Sequence, residues 1–153
     1  MHIPIAQPSL GNEENEAVLA VLASGMIAQG PVTAAFENEF AAYCGVPHAV
    51  AVSNGTTALH AALLAAGVKP GDEVIVPAFT FFATASSVSM CGAVPVFADV
   101  DAVTATIDPA DIITKVTSKT KAVIGVHLYG QPCDAGAVRD ICDDKGLVFI
   151  EDA

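Results

Sequence analysis

AVAVSNGTTALHAALLAAGVKPGDEVIVPAFTFFATA, residues 49–85, decides the fold. Residues 48–53 form a short apolar run of strand character. Residues 56–66 are rich in Ala and Leu, a helical composition, and Gly67 closes them. Lys69, Pro70, Gly71 and Asp72 make a turn. A second apolar run, 73–77, bounded by that turn and by Pro77, predicts a strand, and 81–90 predicts a helix. Strand, helix, strand, helix within one stretch is the mark of a parallel sheet with crossover helices.

The alternation continues outward. Residues 94–98 predict a strand, Asp108-Pro109 starts a short helix, and 121–126 predict another strand. Residues 134–145 predict a helix ended by Gly146, and 147–152 a last strand. Upstream, residues 1–11 read as an extended arm broken by Pro4, Pro8 and Gly11. A helix over about 13–24 begins at Gly11 or Asn12, with Glu13, Glu14 and Glu16 where the helix dipole favours acids. A loop through Gly30 leads to Pro31, which suits a first helical position, and the helical spacing of 32–43 stops at Gly45. The expected fold is α/β, a mainly parallel sheet with crossover helices. The expected domains are an arm with helices over 1–46 and an incomplete α/β domain over 47–153.

Composition narrows the function classes. At 153 residues, 53% hydrophobic and 15% charged, the chain suits elements buried on both faces. Its net charge of −11 disfavours nucleic acid and anionic membranes as partners. A phosphate ligand stays open, because backbone N–H groups bind phosphate without basic side chains. Cys44, Cys91, Cys133 and Cys142 lack the spacing of a zinc site or a disulfide framework, and reduced, mostly buried thiols are expected. No metal site is expected. No basic region followed by an apolar stretch opens the chain, so no signal peptide is expected, and the cytoplasm is the expected location. Residues 74–98 are the most apolar region, but Pro77, Gly92 and Pro95 interrupt them, which predicts strand–helix–strand in place of a membrane span.

Three junctions carry potential chemistry. In Ser53-Asn54-Gly55-Thr56-Thr57 a strand gives way to a helix, and the N–H groups of Gly55, Thr56 and Thr57 could face an anion. The same residue types are ordinary helix caps, and this junction alone leaves both readings open. It contains no GxxxxGK[ST], and no GxGxxG occurs in the chain. In Phe79-Thr80-Phe81-Phe82 one exposed aromatic could stack on a flat heteroaromatic ring, the other two being expected in the core. Glu151-Asp152 ends an apolar strand, and a carboxylate there could hold a protonated ring nitrogen or cap the next turn. Phosphate cup, stacking ring and nitrogen-binding acid are three parts of one ligand, and together they suggest pyridoxal phosphate. His127 and Tyr129 lie at another strand end, where His127 could face the cofactor or bond to backbone, the second being the expected case. His2, His48 and His60 show no ligand spacing and are expected to be structural.

These stretches, with Ser24-Gly25, Gly30-Pro31, Phe36-Glu37, PVFADVD, VHLYGQPCD and FIEDA, resemble the DegT/DnrJ/EryC1/StrS family. Its members are sugar-nucleotide aminotransferases of fold type I that depend on pyridoxal 5'-phosphate. The resemblance implies that Gly55 and Thr56, with Thr57 beside them, hold the cofactor phosphate. It implies that Phe81 stacks on the pyridine ring and that Asp152 pairs with the ring nitrogen. It implies a large domain cut short, the first strand (48–53) being separated from the strand ending at Asp152 by two strands from later in the family's chain. The Schiff-base lysine of the family lies in a Ser-x-x-x-x-Lys stretch beyond Ala153, so no catalytic residue is assigned here. Lys69, Lys115, Lys119, Lys121 and Lys145 match loops and helix ends. The chain is therefore read as the N-terminal fragment of a homodimeric enzyme, expected to be inactive and marginally folded alone. The intact enzyme would move an amino group, from glutamate in the expected case, to a keto-sugar nucleotide in polysaccharide or deoxyamino-sugar biosynthesis. The alternatives are a sugar dehydratase of the same family, with His in place of Lys, and a non-catalytic truncated chain.

Overall fold

The computed structural model describes residues 7–153. Part of the expected N-terminal arm, and His2 with it, lies outside the described residues. The chain divides into two units, one ending at Ala51 and one running from Val52 to Ala153.

The first unit holds α1 (Asn12–Ser24) and α2 (Pro31–Cys44). Gly11 is the N-cap of α1, and its N–H donates to Glu14 Oε2 at 2.6 Å. That bond holds the Glu14 carboxyl below its ordinary pKa. Pro31 takes the first turn of α2, and Gly45 ends the helix in the left-handed conformation. The N–H of Ala51 donates to Glu37 Oε1 at 2.8 Å. Only Ala41 is buried in α2, while Leu19, Leu22, Phe36 and Phe40 are exposed.

The second unit is the α/β body. In chain order it contains α3 (Gly55–Ala65), β1 (Glu73–Pro77), α4 (Ala83–Met90), β2 (Val94–Ala98) and α5 (Pro109–Lys115). It continues with β3 (Thr120–Val126), α6 (Ala135–Lys145) and β4 (Val148–Asp152). The sheet order is β2-β1-β3-β4 and every pairing is parallel. Each pair of successive strands is joined through a helix, as parallel pairing requires.

Period-2 alternation explains why the central strands are apolar throughout. Val74, Val76, Ala122, Ile124 and Val126 pack on one face with Leu59 and Leu63 of α3 and Val88 of α4. Ile75 and Val123 point to the other face, against Ile112 of α5 and Val138 and Cys142 of α6. The outer strands β2 and β4 are only partly buried. Cys91, Cys133 and Cys142 are buried and Cys44 is exposed, all as free thiols. Burial pushes the Cys142 thiol up to about 11. No helix among the described residues is long and apolar enough to cross a membrane.

Gly125 is the tightest point in β3. A Cβ there would stand 2.9 Å from Phe149 Cε2 and 3.0 Å from Cys133 Sγ. Gly125→Ala is therefore expected to destabilise the fold by about 1–3 kcal/mol, the usual cost of overpacking. A guanidinium midpoint unchanged from the parent would show that this contact gives way freely.

Two expectations are corrected. Residues 48–53 are not a strand. Their apolar alternation is suitable, but a strand needs a neighbouring ladder, and none lies beside them among the described residues. Phe79 and Phe82 are not in the core; they are 52% and 77% exposed. The segment carrying them follows the carboxyl end of β1, and α4 begins only at Ala83, burying Ala83, Thr84, Ser87 and Val88 instead.

Candidate active site

In an open parallel sheet, ligands bind beyond the carboxyl ends of the strands. A cavity of about 390 Å³ lies there. Its walls include Asn54, Gly55, Thr56, Thr80, Phe81, Val126, His127, Leu128, Tyr129 and Asp152. Four of the five residues expected to hold the cofactor (Gly55, Thr56, Phe81 and Asp152) share this cavity, and Thr57 is not in its lining.

The phosphate end is the start of α3. The first N–H groups of a helix have no intrahelical acceptor. Asn54 Oδ1 accepts the N–H of Thr57 at 2.9 Å and its hydroxyl at 3.1 Å. The Thr57 hydroxyl also lies 3.2 Å from Ser53 Oγ. Thr57 is thus committed to the cap, which leaves the N–H groups of Gly55 and Thr56 for a ligand. A Cβ built on Gly55 would meet nothing within 4 Å, so the space before this helix end is open. Two free donors at a positive helix end, with room before them, fit a phosphate group.

Asp152 is positioned by three elements. It closes β4 opposite Val126 of β3. The N–H of His127 donates to its carbonyl at 2.9 Å. The hydroxyl of Thr84, fully buried in α4, donates to Oδ2 at 3.3 Å, and Thr80 Oγ1 lies 3.0 Å from Thr84 Oγ1. Among the described residues no donor stands on Oδ1, which leaves that oxygen for a ligand. Sequence reasoning missed Thr80 and Thr84. Their spacing of four residues at a helix start was the available signal, because a hydroxyl on a buried helical face needs a partner.

His127 is held at both ring nitrogens. Nδ1 accepts the N–H of Cys133 at 3.2 Å, the bond to backbone expected for it. With Nδ1 accepting, Nε2 carries the proton and faces Glu151 Oε2 at 3.3 Å. Arg139 reaches the other oxygen of Glu151 at 2.8 Å and lies over the Phe149 ring at 5.4 Å. Burial first, then the Glu151 carboxylate, pushes the Cys133 thiol above its ordinary range.

Phe81 is 75% exposed and forms part of the cavity wall. An aromatic side chain with so little protein around it is available to a flat ligand.

Fold and cavity together define an α/β protein that gathers an open helix end, an exposed aromatic ring and a carboxylate at its strand ends. The chain belongs to the DegT/DnrJ/EryC1/StrS aminotransferase family, whose model matches residues 8–153. It is 45% identical to a GDP-perosamine synthase of Vibrio cholerae, over 98% of this chain and 41% of that protein. It is 46% identical to the spore coat polysaccharide biosynthesis protein SpsC of Bacillus subtilis, over 99% of this chain and 39% of that protein. The solved structure of NtdA from Bacillus subtilis, with its cofactor PMP bound, superposes with a TM-score of 0.89 at 39% identity. That match covers 94% of this chain and 34% of NtdA. The chain thus spans about two fifths of the length of the curated relatives it matches.

Proposed function

We propose that the protein carrying this chain is a pyridoxal 5'-phosphate-dependent aminotransferase that transfers an amino group from an amino acid, glutamate in the expected case, to a keto-sugar nucleotide. One observation supports this above the others: the free N–H groups of Gly55 and Thr56, the open ring of Phe81 and the carboxylate of Asp152 share one cavity. That set matches the phosphate, ring and ring nitrogen of pyridoxal phosphate in kind. When bound, that cofactor supplies an electron sink and an amino-group carrier.

The residues then take separate tasks. The N–H groups of Gly55 and Thr56 bind the phosphate at the helix end. Thr57 and Asn54 act from behind, fixing the first turn of α3 so that those two groups stay free. Phe81 covers one face of the ring and excludes water from it. Asp152 keeps the proton on the ring nitrogen, because an adjacent carboxylate stabilises the charged form. Thr84, itself in contact with Thr80, orients that carboxylate through Oδ2.

Residues 1–46 serve as an arm with helices, and 47–153 as the cofactor-binding part of the domain. The protein acts as a cytoplasmic homodimer in polysaccharide or deoxyamino-sugar biosynthesis; the names of the two relatives support the sugar-biosynthesis part alone.

The test is an assay of the protein at its natural length with pyridoxal phosphate, glutamate and a panel of UDP-, dTDP- and GDP-linked ketohexoses. Release of 2-oxoglutarate with a matching amino sugar is the expected result. A sugar product lighter by one water would mean a dehydratase. Absence of turnover together with absence of cofactor binding would mean a non-catalytic chain.

A further inference from the structure

We propose that Tyr129 is a specificity-determining residue that packs its ring against the sugar of the substrate. This rests on the sugar aminotransferase reading above and adds a residue to it.

The observation is a strained backbone without a packing reward. Tyr129 sits in the short turn Leu128–Gly130 at φ 53°, ψ 29°, the left-handed region. Side chains with a Cβ seldom adopt it, and aromatic ones less often than Asn or Gly. Gly130 beside it is also left-handed, at φ 82°. Such strain usually persists where burial of the side chain offsets it, yet the Tyr129 side chain is 90% exposed. Ala105 is the other left-handed residue that is not glycine among those described, and it lies in a polar turn held by Asp101, away from the cavity.

The turn is fixed from outside the tyrosine. The N–H of His127 donates to the Asp152 carbonyl at 2.9 Å, and that of Gly130 to the His127 carbonyl at 3.3 Å. The N–H of Gln131 donates to the Leu128 carbonyl at 2.9 Å, and the His127 ring accepts the N–H of Cys133 at 3.2 Å. A backbone over-determined in this way can hold a disfavoured conformation, and such positions cluster at functional sites. The clamp begins on the main chain of Asp152, so Tyr129 is placed relative to the residue proposed to hold the cofactor ring.

The chemistry of the wall selects the ligand. Around Tyr129 in the chain the cavity is lined by Val126, His127 and Leu128, and Phe81 also lines it. A phenol offers an apolar face for the C–H groups of a pyranose and a hydroxyl for one of its oxygens. That pairing suits an uncharged hydroxylated ring better than the carboxylates of an amino-acid donor, which call for cationic partners. Tyr129 therefore acts on the acceptor half of the reaction.

Tyr129→Gly and Tyr129→Phe in the protein at its natural length separate this from a structural role. Glycine relieves the backbone strain, so the cofactor-free Tyr129→Gly protein is expected to melt at or above the parent temperature. Its pyridoxal phosphate affinity and its glutamate half-reaction should stay within about threefold of the parent, while KM for the accepted ketohexose nucleotide rises about tenfold or more. Tyr129→Phe should recover most of that loss if the ring face dominates. A lower melting temperature with both half-reactions falling together would assign Tyr129 a structural role and overturn the proposal, as would an unchanged KM. If the parent protein binds no pyridoxal phosphate, or accepts none of the UDP-, dTDP- and GDP-linked ketohexoses, the aminotransferase reading fails and this inference fails with it.

Discussion

Asp152→Asn is expected to lower kcat for amino transfer by about 10²–10³-fold, the range seen when one preorganised electrostatic partner is removed from a catalytic centre. The substitution keeps the shape of the side chain and its contact with Thr84. It removes the charge that would hold a proton on the ring nitrogen. The remaining activity should fall more steeply as pH rises, because without the carboxylate the nitrogen loses its proton at lower pH. Cofactor affinity should change far less than kcat, since the phosphate contacts are untouched. Steady-state kinetics and a cofactor titration on one preparation check both parts. A variant with parental kcat and pH profile would remove Asp152 from the ring-nitrogen role.

Gly55→Val is expected to abolish cofactor binding at micromolar concentrations while leaving the fold intact. Gly55 opens α3 without a left-handed φ, and a Cβ there meets nothing within 4 Å, so the protein alone accommodates a side chain. The added atoms would occupy the open space that the phosphate needs. They would block two hydrogen bonds to a charged group, each worth about 1.5–3 kcal/mol, which amounts to roughly 10²–10⁴-fold in affinity. Absorbance titration with pyridoxal phosphate reads the loss, and circular dichroism with thermal melting reads the fold. Unaltered affinity would place the phosphate elsewhere, and a collapsed melting transition would show that Gly55 has a structural duty.

How much of this was legible in the sequence depends on how local each cause is. The strands at 73–77 and 94–98 have the expected bounds, because short apolar runs between turn residues contain their own start and stop signals. Helices α2 and α6 likewise end at Gly45 and Gly146, both left-handed. Residues 48–53 have the same apolar character but no strand, since a ladder depends on a partner that local pattern does not contain. Phe79 and Phe82 were misplaced for a related reason: whether an aromatic beside a strand end is buried depends on what passes over it.

Within the candidate site, Gly55, Thr56 and Asp152 could be named because they open a helix or end a strand, where parallel sheets collect ligands, while the family resemblance picked Phe81 from its two aromatic neighbours. The contribution of Thr84 was hidden, because its partner Asp152 is 68 residues away. The strain at Tyr129 was hidden as well. VHLYGQP shows a glycine at a turn, but not that the tyrosine before it shares the left-handed conformation.

The most direct test of the central claim is a crystal structure of the protein at its natural length with pyridoxal phosphate bound. The account predicts the phosphate on the N–H groups of Gly55 and Thr56, the ring against Phe81, and the ring nitrogen within hydrogen-bond distance of Asp152. A cofactor seated elsewhere, or one whose ring nitrogen faces away from Asp152, would contradict it.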